Sequence, residues 1–383
     1  MLPPRSPVDN GGPTTAGAIA VNNLNGQIEA TEKLIAKYPD RLQVYEVLAG
    51  FYQQRAQFLS TLADYDRAQK VADARFARAP DAGGYLTRAG ARGSFHHFAD
   101  ALADLAEAAR RGAKASAVDA MRAGLLQGMG RLSEALALRE KLAQQEPGLM
   151  SLATLGGVRA ELGDVDAADA LFAKAPLSYR DVSPFPVAWV AFQRGYLWDR
   201  AGQLDKAKSY YQAALERLPA YAPAIGHLAA IEGAQGDRAA AIARLEPLVA
   251  TSDDPEYEGQ LADLLAQVGR DAEAKAHREK AAARFEALLK AHPEAFADHA
   301  AHFYLDVVKD ARRAEQLALA NLAARQTRGS YQLALQAAMA AKDAAKACEV
   351  AEKAVAALPH VEKLRYLAGR AYEACGKKAE AAP

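Results

Sequence analysis

A regular spacing of small, large and turn-forming residues constrains this chain more than any other feature. The segment from Ala188 to Pro219 shows it best when Ala188 is counted as position 1. Small residues then occupy positions 8, 20 and 27 (Gly195, Ala207 and Ala214), and large residues occupy positions 11 and 24 (Trp198 and Tyr211). Gly202 stands at position 15, where a tight turn between two helices favours positive φ. Pro219 follows the second helix, which it cannot continue. The segment is therefore predicted to form two closely packed antiparallel helices.

The same pattern recurs along most of the chain. The intervals from Ala188 to Ala222 and from Arg328 to Glu362 are both 34 residues. Further units begin near Leu42, Ala82, Ser116, Leu149, Pro255 and Ala295. The Ala295 unit is weaker, because Lys309 stands where glycine is preferred. Each helix pair has an apolar face that it cannot bury alone, so the units are expected to stack into an array with a concave inner face.

This pattern resembles the tetratricopeptide repeat (TPR), a helix–turn–helix unit of about 34 residues. The resemblance covers nearly all of residues 20–383. It implies an all-α, right-handed superhelical solenoid of antiparallel helix pairs, with roughly nine to ten units. The chain then divides into a disordered leader (1–17), an N-terminal half-array (18–174), a proline-rich break or loop (175–187) and a C-terminal half-array (188–383).

Charge and motif content argue against several function classes, although the absence of a catalytic motif does not exclude an enzyme. Lys plus Arg and Asp plus Glu both number 47, which leaves no basic excess of the kind that indicates nucleic-acid binding. No apolar run reaches the roughly 18 to 20 residues of a membrane helix, so membrane insertion is not expected. The patterns GxxxxGK[ST], GxSxG, HExxH and CxxC are absent. We therefore predict a non-catalytic scaffold or adaptor that needs no cofactor and binds another protein or peptide, with its oligomeric state open.

The resemblance also implies where the partner binds. In TPR proteins the first helix of each unit lines the concave groove, mainly through positions 2, 5, 9, 12 and 13. In the units at Ala188, Pro255 and Ala295 this register predicts a groove formed by Trp189, Phe192, Tyr196, Asp199, Arg200, Glu256, Asp263, Phe296, His299, Phe303 and Asp306. Aromatic rings that the repeat does not need are candidate anchors for a partner. The alternative is that they pack against neighbouring helices or against the proline-rich break.

Two other functions stay open. The aromatic and histidine-rich units could form the closed pocket of a small-ligand or metal-handling protein of an exported bacterial-type system, with Trp189, Tyr196, His299 and Asp306 converging. The array could instead regulate an enzyme encoded elsewhere. His299 and His302 have a spacing that suits a metal, but the register turns His302 towards the packing face, so no metal site is predicted.

The two cysteines are placed so that they could pair. Cys348 lies early in a second helix and Cys375 late in the next first helix, and these antiparallel neighbours bring both residues to the same end. A disulfide is feasible if the Cα atoms lie within about 7 Å; two buried thiols are the alternative. A disulfide would indicate an oxidising compartment. Together with an N-terminus like the start of a mature exported chain, it slightly favours an exported or periplasmic location over a cytoplasmic one.

Overall fold

A computed structural model describes residues 8–377, in which all regular structure is helical. The predicted all-α solenoid of helix pairs is confirmed. The helices are α1 Gly17–Lys37, α2 Leu42–Leu59, α3 Ala63–Arg78, α4 Ala82–Ser94, α5 Phe98–Arg110, α6 Ala115–Met129, α7 Leu132–Gln145, α8 Leu149–Glu161, α9 Val165–Lys174, α10 Pro184–Arg200, α11 Leu204–Arg217, α12 Ala222–Ala234, α13 Arg238–Thr251, α14 Pro255–Gln267, α15 Asp271–Ala291, α16 Pro293–His302, α17 Ala311–Ala324, α18 Arg328–Ala340, α19 Ala344–Ala357 and α20 Glu362–Ala374.

Small-to-large packing holds each pair together, as the spacing predicts. In the pair α10–α11, Ala207, Tyr211 and Ala214 are fully buried. Gly195 lies directly on the ring of Tyr211, and a Cβ atom at Gly195 would come within 2.7 Å of that ring. The close approach of the two helices therefore depends on a glycine opposite an aromatic residue.

In nine of the turns that follow a first helix, one residue has the left-handed conformation, at position 15 of its unit; in the turn between α2 and α3 this residue is Ser60, at position 19, with φ of +47°. Glycine occupies position 15 in six turns with φ between +74° and +92°: Gly130, Gly163, Gly202, Gly236, Gly269 and Gly376. His96, Lys309 and Lys342 adopt the same conformation without being glycine. The repeat therefore determines the turn geometry. Packing of the helices on either side holds even residues with a Cβ atom in this sterically disfavoured conformation.

The unit predicted from Ala295 is irregular in the structure. Its first helix begins at Pro293, two residues earlier than the pattern predicts, and continues into a π-helix at Phe303–Val308 before the turn at Lys309. A π-helix has more residues per turn than an α-helix and absorbs the two extra residues. Ala314 and Ala318 are fully buried, in agreement with a unit that starts at Ala295. The first helix is consequently two residues out of the predicted register, whereas the second is in register.

The solenoid winds so tightly that its second half stacks on its first. Side-chain and backbone hydrogen bonds join residues that lie about 190 to 208 positions apart. Turns within the helix pairs of the first half meet turns between the pairs of the second half, in order along the chain: Ser60 with Ser252, His96 with Glu294, Met129 with Gln326, and Gly163 with His360. Roughly six 34-residue units therefore complete one superhelical turn.

Apolar packing reinforces the contact between the two superhelical turns. The ring of Phe58, at the end of α2, lies 5.0 Å from the ring of Phe185 and 4.9 Å from that of Tyr221. Leu24 and Ile28 of α1 are almost fully buried in the same cluster. Burial of large side chains across this contact stabilises the stacked arrangement over an open coil.

Residues 8–16, which belong to the segment predicted as a disordered leader (1–17), are packed in the structure. Asp9 accepts hydrogen bonds from the buried guanidinium of Arg217 at 2.5 and 2.8 Å, and the N–H of Thr15 donates to the carbonyl of Val182 at 2.7 Å. Residues 8–16 therefore lie on the second superhelical turn, and residues 1–7 lie outside the described part of the chain.

The predicted break at 175–187 is shorter in the structure. A 3₁₀ turn covers Ala175–Ser178, and α10 already begins at Pro184. Proline is accepted at the first position of a helix, where its missing N–H would have no partner. The break is therefore a short extended linker against which the N-terminal segment packs, through Thr15.

Candidate binding chamber

The stacked superhelix encloses a space at its centre. Three adjoining cavities of about 350, 600 and 570 Å³ lie on the concave side, and Tyr196 and Arg200 line all three. We call this space the central chamber. Its wall is formed by the first helices of successive pairs: α6, α8, α10, α12, α14, α16, α18 and α20. The concave face that the repeat predicts as a groove is therefore a deep, partly open chamber in this chain.

Five of the predicted groove residues line the chamber: Tyr196, Arg200, Glu256, His299 and Asp306. They come from α10, α14 and the α16 region. Tyr196, Arg200 and Glu256 lie at inner positions of α10 and α14, as the register predicts, whereas His299 and Asp306 belong to the helix that is two residues out of register. Whether the five residues contact a partner remains a prediction.

The other six predicted groove residues do not line the chamber. Trp189 is packed at the edge of two apolar clusters, and Phe192 lies among the rings of Tyr211, Tyr221 and His227. Phe303 is buried, because the offset of α16 turns it into the core. The remaining three side chains contact neighbouring residues. Asp199 accepts a hydrogen bond from Tyr211, Asp263 accepts one from Gln267, and the ring of Phe296 lies beside those of His292 and His299.

Several chamber residues were not found from the sequence pattern. Glu161, His227, Asp298, His302, Arg325 and Arg328 all line it. His302 was assigned to the packing face, and this was wrong, since the early start of α16 turns it inwards beside His299. Arg325 lies in a turn between pairs, and it reaches the chamber because its Nε donates to the carbonyl of Gly128 on the other superhelical turn at 3.3 Å. No local signal in the sequence marks such a contact.

A cluster of carboxylates and imidazoles forms one wall. Nδ1 of His299 lies 3.1 Å from Glu256, and Arg325 donates to Asp298 at 2.8 Å. Burial alone would lower the pKa of His299, but the charges of Asp298 and Glu256 outweigh it and raise the pKa to about 10. Burial raises the pKa of Asp254, with the charge of Glu256 adding to the effect. His299 is therefore a cation at neutral pH and pairs two helices, α14 and α16.

Among residues 8–377, no group of three or more His, Cys, Asp and Glu side chains is arranged to hold a metal ion. The same part of the chain has no helix of the length and apolarity needed to cross a bilayer. What the chamber offers is a dense set of charges and hydrogen-bonding groups around an accessible space. His299 is surrounded by the chamber walls, which desolvate it, but 47% of its side chain still faces the solvent inside them.

Comparison with solved structures identifies the fold. The crystal structure of the hetero-tetramer Cut9–Hcn1 of the APC/C aligns with a TM-score of 0.51 and 15% identity, over 91% of this chain and 66% of that one. The chain thus spans slightly less than two thirds of that protein's length. The fold is that of the tetratricopeptide repeat.

Further TPR neighbours share less of the overall shape. A tetratricopeptide repeat protein from Parabacteroides merdae aligns with a TM-score of 0.39 and 18% identity, over 64% of this chain and 91% of that chain. YrrB, a TPR protein with an unusual peptide-binding site, aligns with a TM-score of 0.29 and 17% identity, over 52% and 97%. No protein-family model and no curated protein matches the chain.

Proposed function

We propose that this TPR protein is a non-catalytic interaction scaffold that holds an extended polar segment of another protein in its central chamber. The observation that carries the proposal is the lining, in which charged and hydrogen-bonding side chains from eight first helices face one space. An extended segment has backbone N–H and C=O groups that need such partners when they leave water. Repeat solenoids also characteristically use their concave surface for binding.

A small-ligand protein is the second candidate, and the convergence of three residues of its expected pocket favours it. Tyr196, His299 and Asp306 line the chamber together, as that alternative requires. Trp189, the fourth residue of the expected pocket, packs elsewhere. A ligand pocket is ordinarily lined mainly by apolar and aromatic groups with few polar ones, whereas many charged and hydrogen-bonding side chains line this wall, so the protein-segment proposal is preferred.

A displayed library of unstructured peptides tests the proposal. We expect peptides enriched on the wild type to bind in solution and to lose at least about tenfold in Kd with Tyr196→Ala. Tyr38→Ala is the matched control, since Tyr38 is an exposed tyrosine at the end of α1, outside the chamber. Circular dichroism establishes that both variants keep their helices.

Two results would contradict the proposal. Peptides that bind the Tyr196→Ala variant as well as the wild type would show that the chamber is not their site. If no peptide is enriched and mass spectrometry of the natively purified protein finds a bound organic molecule, the small-ligand function replaces the scaffold.

A further inference from the structure

One part of the chamber is lined by more positively charged side chains than negatively charged ones. This is the cavity of about 350 Å³ that is lined by Glu161 of α8, Arg200 of α10, Arg328 of α18 and Lys363 of α20. We call it the arginine pocket. Arg200 and Arg328 are 128 positions apart in the chain (328 minus 200) and meet only because the superhelix brings α10 and α18 to the same space.

Arg328 is the unusual member of this set. Among the described residues no side chain or carbonyl accepts a hydrogen bond from it, and its buried Nε has no partner. Buried polar atoms in folded proteins are almost always hydrogen-bonded, so the unpartnered Nε of this half-buried side chain calls for an explanation. Burial lowers the pKa of Arg328, and the charge of Arg200 lowers it further.

Arg200 is only partly satisfied. Its Nη1 donates to Glu161 at 2.5 Å, while its Nη2 is buried without a partner. Glu161 therefore pairs directly with one guanidinium. Its charge also acts on Arg328 and partly offsets that of Arg200, but Arg328 has no carboxylate within ion-pairing distance among the described residues. Glu362 also lines the pocket, but its neighbour Lys363 adds a further cation there. The balance of charge leaves room for one more anion.

We propose that the arginine pocket binds an oxyanion, a carboxylate or phosphate group, between Arg328 and Arg200. The forked N–H groups of a guanidinium match such oxygens in pairs, and the bonds are strengthened by opposite charge. The inference stands on the pocket itself and does not require the peptide of the proposed function. The oxyanion is either free in solution or the acidic side chain of a bound segment, and the test separates these two sources.

The first arm of the test uses inorganic phosphate and sodium succinate, titrated into the wild type by calorimetry at constant ionic strength, with chloride as the reference. We expect saturable binding and a rise in Tm with either anion, because a ligand that binds only the folded state stabilises it. Arg328→Gln should raise Kd at least tenfold. Arg110→Gln, which removes a 70% exposed arginine of α5, should leave Kd unchanged.

The same variant distinguishes a binding role from a structural one. Arg328→Gln removes a charge that faces Arg200, so without anion its Tm should equal or exceed that of the wild type, although it no longer responds to phosphate or succinate. A loss of Tm in the absence of anion, together with an unchanged response to it, would overturn the proposal. So would equal effects of phosphate, succinate and chloride on the wild type.

A second variant blocks the pocket without changing its charge. Gly157 lines it from α8, and a Cβ atom there would meet only the flexible side chain of Gln127, at 3.6 Å. Gly157→Leu should therefore keep the fold and weaken anion binding, whereas Gly50→Ala, in open space on α2, should not affect it. Unchanged anion binding by Gly157→Leu would place the anion elsewhere.

The second arm identifies the source of the oxyanion. If library-selected peptides carry a Glu whose replacement by Gln weakens binding to the wild type but not to Arg328→Gln, the oxyanion belongs to the bound segment. If free anions bind and no peptide shows this dependence, the pocket takes a free anion. If peptides bind through Tyr196, but neither free anions nor acidic peptide side chains need Arg328 for their binding, the scaffold function stands and the proposed anion site is wrong.

Discussion

Lys309, Lys342 and His96 adopt the left-handed conformation that glycine holds in six other turns, with φ of +66°, +59° and +61°. A residue with a Cβ atom is disfavoured there by about 1–2 kcal/mol. The structure shows why the substitution is nevertheless tolerated: buried helices on both sides determine the turn, and the backbone follows.

This cost predicts opposite effects of two substitutions at equivalent positions. Lys342→Gly should raise the free energy of unfolding by about 1 kcal/mol, and Gly202→Ala should lower it by a similar amount. No atom lies within 4 Å of a Cβ built at Gly202, so its loss of stability comes from the backbone alone. Urea denaturation of both variants against the wild type measures the effect. Changes of the same sign would contradict it.

The charge on His299 predicts a dependence of stability on pH. Its pKa is raised from 6.5 to about 10 in the folded chain. Between these values the folded state keeps a proton that the unfolded state has released, so the stabilisation is complete below about pH 6.5 and is lost as the pH rises through 10. Thermal melts from pH 6 to pH 10 should show a smaller decline for His299→Gln than for the wild type, with His302→Gln as the control. Parallel curves for all three proteins would refute the pairing with Glu256 and Asp298.

At the scale of elements, α19 and α20, neighbours from successive units, can be linked in a way that no other helices can, because they carry the chain's two cysteines. Cys348 of α19 and Cys375 at the end of α20 lie with their Cα atoms 6.3 Å apart, a separation that a disulfide spans. The α20 end of the array has no further helix over it among the described residues. A covalent link there would limit fraying of the last unit.

We therefore expect the two thiols to be oxidised when the protein is made in an oxidising compartment. Peptide mapping without reductant should recover the Cys348 and Cys375 peptides as one species. Cys375→Ala should then lower stability by about 2–4 kcal/mol in the segment that includes α19 and α20, measured by hydrogen exchange. Two separate alkylated peptides from protein prepared without reductant would instead indicate buried thiols.

At the scale of the whole molecule, the stacking of one superhelical turn on the next depends on small residues at the contacts. Gly130 and Gly202 occupy equivalent turns with φ of +84° and +74°, but only Gly130 lies against the other turn. A Cβ atom at Gly130 would overlap the backbone carbonyl of Gln326. The N–H of Gln326 in turn donates to Met129 at 3.1 Å, which ties the two segments together.

Gly130→Ala should therefore destabilise the protein more than Gly202→Ala does, because it adds a clash with rigid backbone to the same left-handed penalty. Small-angle scattering should also show a larger radius of gyration for Gly130→Ala, since the turns must separate locally. Equal Tm and equal radius for the two variants would mean that the stacked form is not the form in solution.

The sequence by itself determined the unit and its repetition. A glycine opposite Tyr211, alanines at fixed positions and left-handed residues at position 15 are local requirements of two helices that pack closely, so they can be read from spacing. The same spacing identified the inner side of α10 and α14, and with it Tyr196, Arg200 and Glu256. Part of the candidate site was therefore predictable.

Only the tertiary structure decided that the groove closes into a chamber. Contacts between residues about 190 to 208 positions apart depend on small rotations between units that add up along the array. The sequence of a single unit does not determine the total rotation. For the same reason Arg328 could not be paired with Arg200 in advance, and the inward turn of His302 depended on where α16 begins. Local packing specifies each unit, whereas the accumulated twist of all the units specifies what faces what across the chamber.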